Sequence, residues 1–174
     1  MANTYTLISS NTLTSSAASV TFSSIPATYT DLVLKVSART TEANNDSSFN
    51  VTFNGVTTTT YSRTRLRGTG SVASSSSLSN ATSIDTGDNA TGSTATSNTF
   101  SNVEIYIPSY TASQNKPVSL FNVLENNSTA ANMNAAAGLW RNTSVITSIT
   151  LDGIPASGQF ASGSSFYLYG IKNS

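Results

Sequence analysis

Eight acidic and eight basic side chains are the whole supply of charge in this 174-residue chain, which has no histidine and no cysteine. Without imidazole there is no Ser-His-Asp or Cys-His nucleophile, and without thiols there is no disulfide, sulfur nucleophile or zinc cluster. Acid–base work would fall to Asp31, Glu42, Asp46, Asp85, Asp88, Glu104, Glu125 and Asp152, scattered one or two per segment. A glycosidase would need folding to bring two of them within about 5–10 Å. Asp85-Thr86-Gly87 has the form of the aspartic-protease triplet, which acts in two copies that share a proton. Here it occurs once, in a low-complexity stretch without the apolar strand residues that would hold it rigid. Asp85, Asp88 and Asn89 could offer oxygens to Ca2+, but the closing Glu of an EF-hand loop is missing, and the spacing reads as a solvated turn. No catalytic, cofactor-binding or metal-binding set is expected, and the chain is read as not an enzyme.

Two features suggest contact. Arg63, Arg65 and Arg67 alternate in Tyr61-Ser62-Arg63-Thr64-Arg65-Leu66-Arg67, which on a strand puts three positive charges on one face. Such a row repels itself unless carboxylates face it, either Glu42 or Asp46 of this chain or acids of a neighbour. It reads as a subunit or capsid contact, or as a solvated edge that discourages strand addition. Trp140, the sole tryptophan, with Arg141 beside it, is a core or interface residue or else a stacking platform for a sugar.

The elements that would position these residues are strands. Hydrophobic residues make up 37% of the chain and charged ones 9%, while Ser, Thr and Asn number 32, 27 and 18, or 44% together. The exterior is therefore built of hydroxyls and amides, with little of the long-range field that nucleic acid or an anionic membrane would require. Neither is expected as a partner, and no leader peptide or apolar run of membrane-spanning length is visible. Leu32, Leu34, Val36 and Ala38 alternate along Asp31 to Thr40, as do Phe49, Val51 and Phe53 before the Asn54-Gly55 turn, and Val103, Ile105 and Ile107 before Pro108. Further strands are expected over Tyr5 to Ser9, Ser19 to Ile25, Thr60 to Arg67, Lys116 to Glu125, Ala135 to Arg141, Val145 to Leu151 and Ser165 to Ile171. About ten strands with short connections predict an all-β, antiparallel two-sheet sandwich, jelly-roll-like or of another Greek-key order, forming one domain over residues 1–174. The stretch 68–98 is Ser/Thr/Gly-rich and has no aromatic residue. It is read as a long loop, as an arm ordered by another subunit, or as an extension holding one weak edge strand.

Several of these strands also carry a resemblance. The run Ser16 to Leu32, the segments Phe100 to Pro108 and Ala137 to Trp140, Ile146 to Leu151, and Phe166-Tyr167-Leu168-Tyr169-Gly170-Ile171 together resemble small virion proteins of tailed phages, of the cyanophage and marine-phage type. The likeness spans nearly the whole chain and carries over no catalytic residue. It implies a jelly-roll domain of the particle. One form is a decoration or cement protein on the capsid exterior, homotrimeric over junctions of the major capsid protein and assembled in the host cytoplasm. The other is part of a tail fibre; a receptor- or carbohydrate-binding role there would rest on Trp140 or exposed Tyr such as Tyr106, Tyr110 and Tyr61 stacking on the rings of host-surface sugars. The first strand near Tyr5 and the end just after Ile171 favour a stand-alone protein over a fibre subunit with a stalk.

Overall fold

The structure is a computed structural model that describes residues 4–127, 131–152 and 154–172; readings placed on residues 1–3, 173 and 174 lie outside the described residues. Its strands, in chain order, are β1 Tyr5–Thr12, β2 Val20–Phe22, β3 Asp31–Ala38, β4 Asp46–Ser47, β5 Asn50–Phe53, β6 Tyr61–Gly68 and β7 Ala73–Ala81. They continue as β8 Ile84–Asp85, β9 Ala90–Thr91, β10 Ser101–Ile107, β11 Lys116–Leu124, β12 Asn132–Trp140, β13 Ile149–Asp152 and β14 Ser165–Ile171. An eight-stranded sheet runs β1-β14-β3-β10-β11-β12-β6-β7, a four-stranded sheet runs β2-β13-β5-β8, and β4 pairs with β9. Every pairing between these strands is antiparallel. The expected all-β antiparallel sandwich is present, with sheets of unequal width, and its arrangement is compatible with a jelly-roll-like winding.

Alternation explains how the layers meet. Leu32, Leu34 and Val36 of β3, Val103 and Ile105 of β10, and Phe166 and Leu168 of β14 point one way from the large sheet into a single apolar cluster. Val20, Phe22, Val51, Phe53, Ile149 and Leu151 of the small sheet meet them. Burial of this kind contributes about 25 cal/mol per Å² of apolar surface, and period-two patterning fixes the register, because a one-residue slip would turn each strand inside out. At one end Trp140 stacks on Tyr61, with ring centroids 6.2 Å apart and planes 16° from parallel, and lies 5.5 Å from Phe53.

Two segments differ from the expectation. The strand expected over Val145 to Leu151 begins only at Ile149, because the preceding backbone is held by a side chain. Asn54, at φ +54° in the Asn54-Gly55 turn, donates Nδ2 to the Val145 carbonyl at 2.7 Å, and its Oδ1 accepts the amides of Thr147 and Ser148 at 2.8 and 3.1 Å. The stretch 68–98 is no free loop or borrowed arm: β7 pairs with β6, β8 with β5 and β9 with β4. The edge strand foreseen within it is β7, whose residues are exposed almost throughout.

The aromatic end is a direct test of the packing. Trp140→Ala should lower the unfolding free energy by about 3–5 kcal/mol in urea titration, the usual cost of emptying a buried tryptophan site. A change under about 1 kcal/mol would show that the ring is not core.

Candidate functional site

Most of the candidate contact residues are engaged within the chain. The inner face of β6 carries Arg63, Arg65 and Arg67 under the crossing segment of β8 and β9, where acids of the same chain meet them. Arg63, its side chain 5% exposed, pairs with Asp85 at 2.9 Å. Arg67 pairs with Asp88 at 2.7 Å and with Asp46 at 3.4 Å, and its Nε donates to Asn132 Oδ1 at 2.8 Å. Asp46 is one of the two acids of this chain that the arginine row called for; Asp85, the last residue of β8, and Asp88, two residues before β9, were missed because a turn's position over a sheet is not legible in alternation. Arg65 lies against Gly87, whose added Cβ would stand 1.8 Å from the guanidinium, and it has no ion-pair partner among the described residues. Arg63 and Arg67 thus clamp this segment from within the chain.

Asp46 and Asp88 converge on one guanidinium. Arg67 lies between them and takes an oxygen from each, so the place a scissile oxygen would need is filled. The Asp85-Thr86-Gly87 triplet is held in the same way: Asp85 faces Arg63, and Thr86 donates to the Phe49 carbonyl. Among the described residues no group of three or more His, Cys, Asp or Glu could hold a metal ion.

Behind the clamp runs a buried polar layer. Asn134 donates Nδ2 to Asn122 Oδ1 at 2.9 Å, Asn132 donates to Asp46 at 2.8 Å, and Asn126 donates to the Asn45 carbonyl at 3.3 Å. Asn89 is fully buried, and neither its side-chain nitrogen nor its side-chain oxygen has a hydrogen-bond partner among the described residues. Arg39 performs a related task on the far side: its two terminal nitrogens donate to the carbonyls of Ser93, Ala95, Thr96 and Thr99 at 2.9–3.1 Å. Charged hydrogen bonds of this kind contribute roughly 1.5–3 kcal/mol each where water is excluded.

The sugar-stacking residues are also occupied. Trp140 and Tyr61 are fully buried, and Tyr110 is buried with its hydroxyl donating to the Pro26 carbonyl. Tyr106 donates to Asp31 at 2.9 Å. Arg141 is exposed but reaches the Thr59 carbonyl at 2.6 Å and Asn80 Oδ1 at 2.8 Å, tying the β5–β6 connection to the end of β7. Lys116, fully buried at the start of β11, donates to the Ala112 and Gln114 carbonyls at 2.6 and 2.5 Å, and burial lowers its pKa.

What the surface offers instead lies on the outer face of the eight-stranded sheet. Every second residue of β11 from Pro117 to Val123, of β12 from Met133 to Leu139, of β6 from Ser62 to Gly68 and of β7 from Ala73 to Ser77 points away from the core, and none is charged. Phe121, Met133 and Leu66 are 50%, 55% and 63% exposed. Phe121, Ala135 and Leu66 lie opposite one another on three adjacent strands, so the small Ala135 and Ala137 floor a shallow groove of about 470 Å³ between larger side chains. The patch stops at Glu104 of β10, which is paired with Lys35 of β3. Sequence reading missed this face because Val118 and Leu120 alternate with Phe121 and Val123, so β11 is apolar on both sides, and the run Ala135-Ala136-Ala137 has no period. Comparison with protein-family models and with curated proteins finds no match.

Two measurements test the electrostatics. Arg67→Ala should cost about 2 kcal/mol of unfolding free energy, since it leaves Asp46 and Asp88 facing each other, whereas Arg65→Ala should cost less than about 1. Equal effects would remove the clamp. Burial raises the pKa of Asp152, so the fold prefers its protonated form. Its destabilising effect is full above the folded-state pKa and is relieved as pH falls through that value. Asp152→Asn should therefore raise the urea midpoint at neutral pH, with the gain disappearing below the pKa of an unfolded aspartate; a gain independent of pH would contradict this assignment.

Proposed function

We propose that this chain is a structural protein of a tailed-phage particle, a decoration or cement protein on the capsid exterior, and not an enzyme. Its work is to hold neighbours together, among them the major capsid protein and other copies of itself. The observation that carries this reading is the outer face of β11, β12, β6 and β7: broad, shallow in relief, without charge at its outward positions and apolar at its centre. A face of this kind suits broad contact with another protein surface, whereas small-molecule sites are concave and bury most of their ligand. The resemblance of the strand segments to small phage virion proteins supports the same reading.

Because Arg63 and Arg67 are neutralised within the chain, we place the proposed contact on this face and not on the row Arg63, Arg65 and Arg67. The alternative, a tail-fibre or receptor-binding domain for host-surface carbohydrate, has less support, because the aromatic residues named for stacking are buried or hydrogen-bonded. Quantitative mass spectrometry of purified particles tests the proposal. A copy number on the scale of the major capsid protein is expected. A copy number matching the tail components would favour the fibre reading, and absence from particles would overturn both. Charge reversal at Arg65, the one member of the row without an ion-pair partner among the described residues, should leave particle association unchanged; loss of association with the fold intact would restore the arginine strand as the contact.

A further inference from the structure

We propose that the uncharged half of the outer sheet face is a self-complementary surface through which two copies of this chain pack about a twofold axis, Phe121 of each copy seated in the groove floored by Ala135 and Ala137 of the other. The inference rests on reading this face as a contact surface but not on any place in a particle.

The shape supports a second copy as the occupant. A twofold contact uses the same patch on both partners, so that patch must carry a projection and a matching recess side by side. Phe121 and Leu66 stand on strands either side of β12, roughly 10 Å apart at the sheet's strand spacing, with only methyl groups between them. A half-exposed phenyl ring thus adjoins a trough wide enough for a ring.

Charge supports it too. Doubling a patch on itself brings identical residues close, so any charge near the axis would meet its like or be buried unpaired. None of the outward positions of β11, β12, β6 and the first half of β7 is charged; Glu104, opposite Phe121 on β10, lines one edge of the groove, where its pairing with Lys35 neutralises it. The size suits a weak contact. Four strands about 4.8 Å apart and about seven residues long give a plan of roughly 450 Å² per copy, or about 900 Å² for the pair. That lies below the roughly 1,200 Å² at which stable interfaces begin, in the range of weak and transient contacts. A dimer that forms in a concentration-dependent way is the consequence.

Sedimentation equilibrium of the full chain, from micromolar to millimolar protein, tests this with the wild type, Phe121→Ser and Ala137→Arg; both substitutions fall on exposed positions, and far-ultraviolet dichroism with urea midpoints checks that each variant is folded. The wild type should rise from 18.1 kDa toward twice that mass, and each variant should weaken association at least tenfold. In a sample mixing labelled and unlabelled chains, nuclear Overhauser contacts should link the Phe121 ring of one copy to the Ala137 methyl of the other. A monomer at every concentration, a species of three times 18.1 kDa as the family resemblance implies, or a dimer that survives both substitutions would overturn the proposal. A dimer formed by a chain that is absent from particles would uphold this inference and remove the role proposed above, so the two fail separately.

Discussion

A sheet of eight strands cannot be covered by a sheet of four, and most of what is distinctive in this molecule follows from that mismatch. The small sheet lies over part of the inner face and forms the apolar core there. The remaining inner surface, along β6, β11 and β12, is closed by the segment 84–99 folded back across it. The outer face of β11, β12, β6 and β7 has no covering layer among the described residues.

The closing segment is poor in apolar residues, so it cannot be held mainly by the hydrophobic effect. Three arginines hold it. Arg39 gathers four carbonyls of its distal part, while Arg63 and Arg67 take the carboxylates of its turn. In a chain with so few charges, these are spent inside, where partial burial makes charge-assisted bonds worth more than on a solvated surface. The amide layer of Asn122, Asn132 and Asn134 continues the same strategy across the sheet. The outer surface of β11, β12, β6 and β7 is left with hydroxyls, methyls and a few large apolar groups.

Much of the fold was legible because period-two alternation is a strong signal when one face is buried. The strand expected over Ser165 to Ile171 has those bounds, and those expected from Asp31, Lys116 and near Val103 match to within about two residues. Alternation failed where another interaction decided the backbone. Asn54 took the amides of Thr147 and Ser148 out of the ladder, and β7, a run of serines without any hydrophobic period, is a strand only because β6 templates it. The arginine row was correctly placed on one face, but whether that face met acids of this chain or of another depended on how a turn lies over the sheet, which is tertiary information. Trp140 was open between core and surface for the same reason, since its strand partner Tyr61 is distant in sequence.

The account stands on the segment 84–99 being an integral layer of the isolated chain and not an arm waiting for a neighbour. Amide hydrogen exchange on the monomer measures this directly. The amides of Thr86, Asn89, Gly92 and Ser93, which donate to the carbonyls of Phe49, Ser47, Asn45 and Glu42 at 2.8–3.0 Å, should exchange only through global opening, with the same urea dependence as the amides of β10. Exchange of these four at the rate of an open chain, while β10 stays protected, would contradict it.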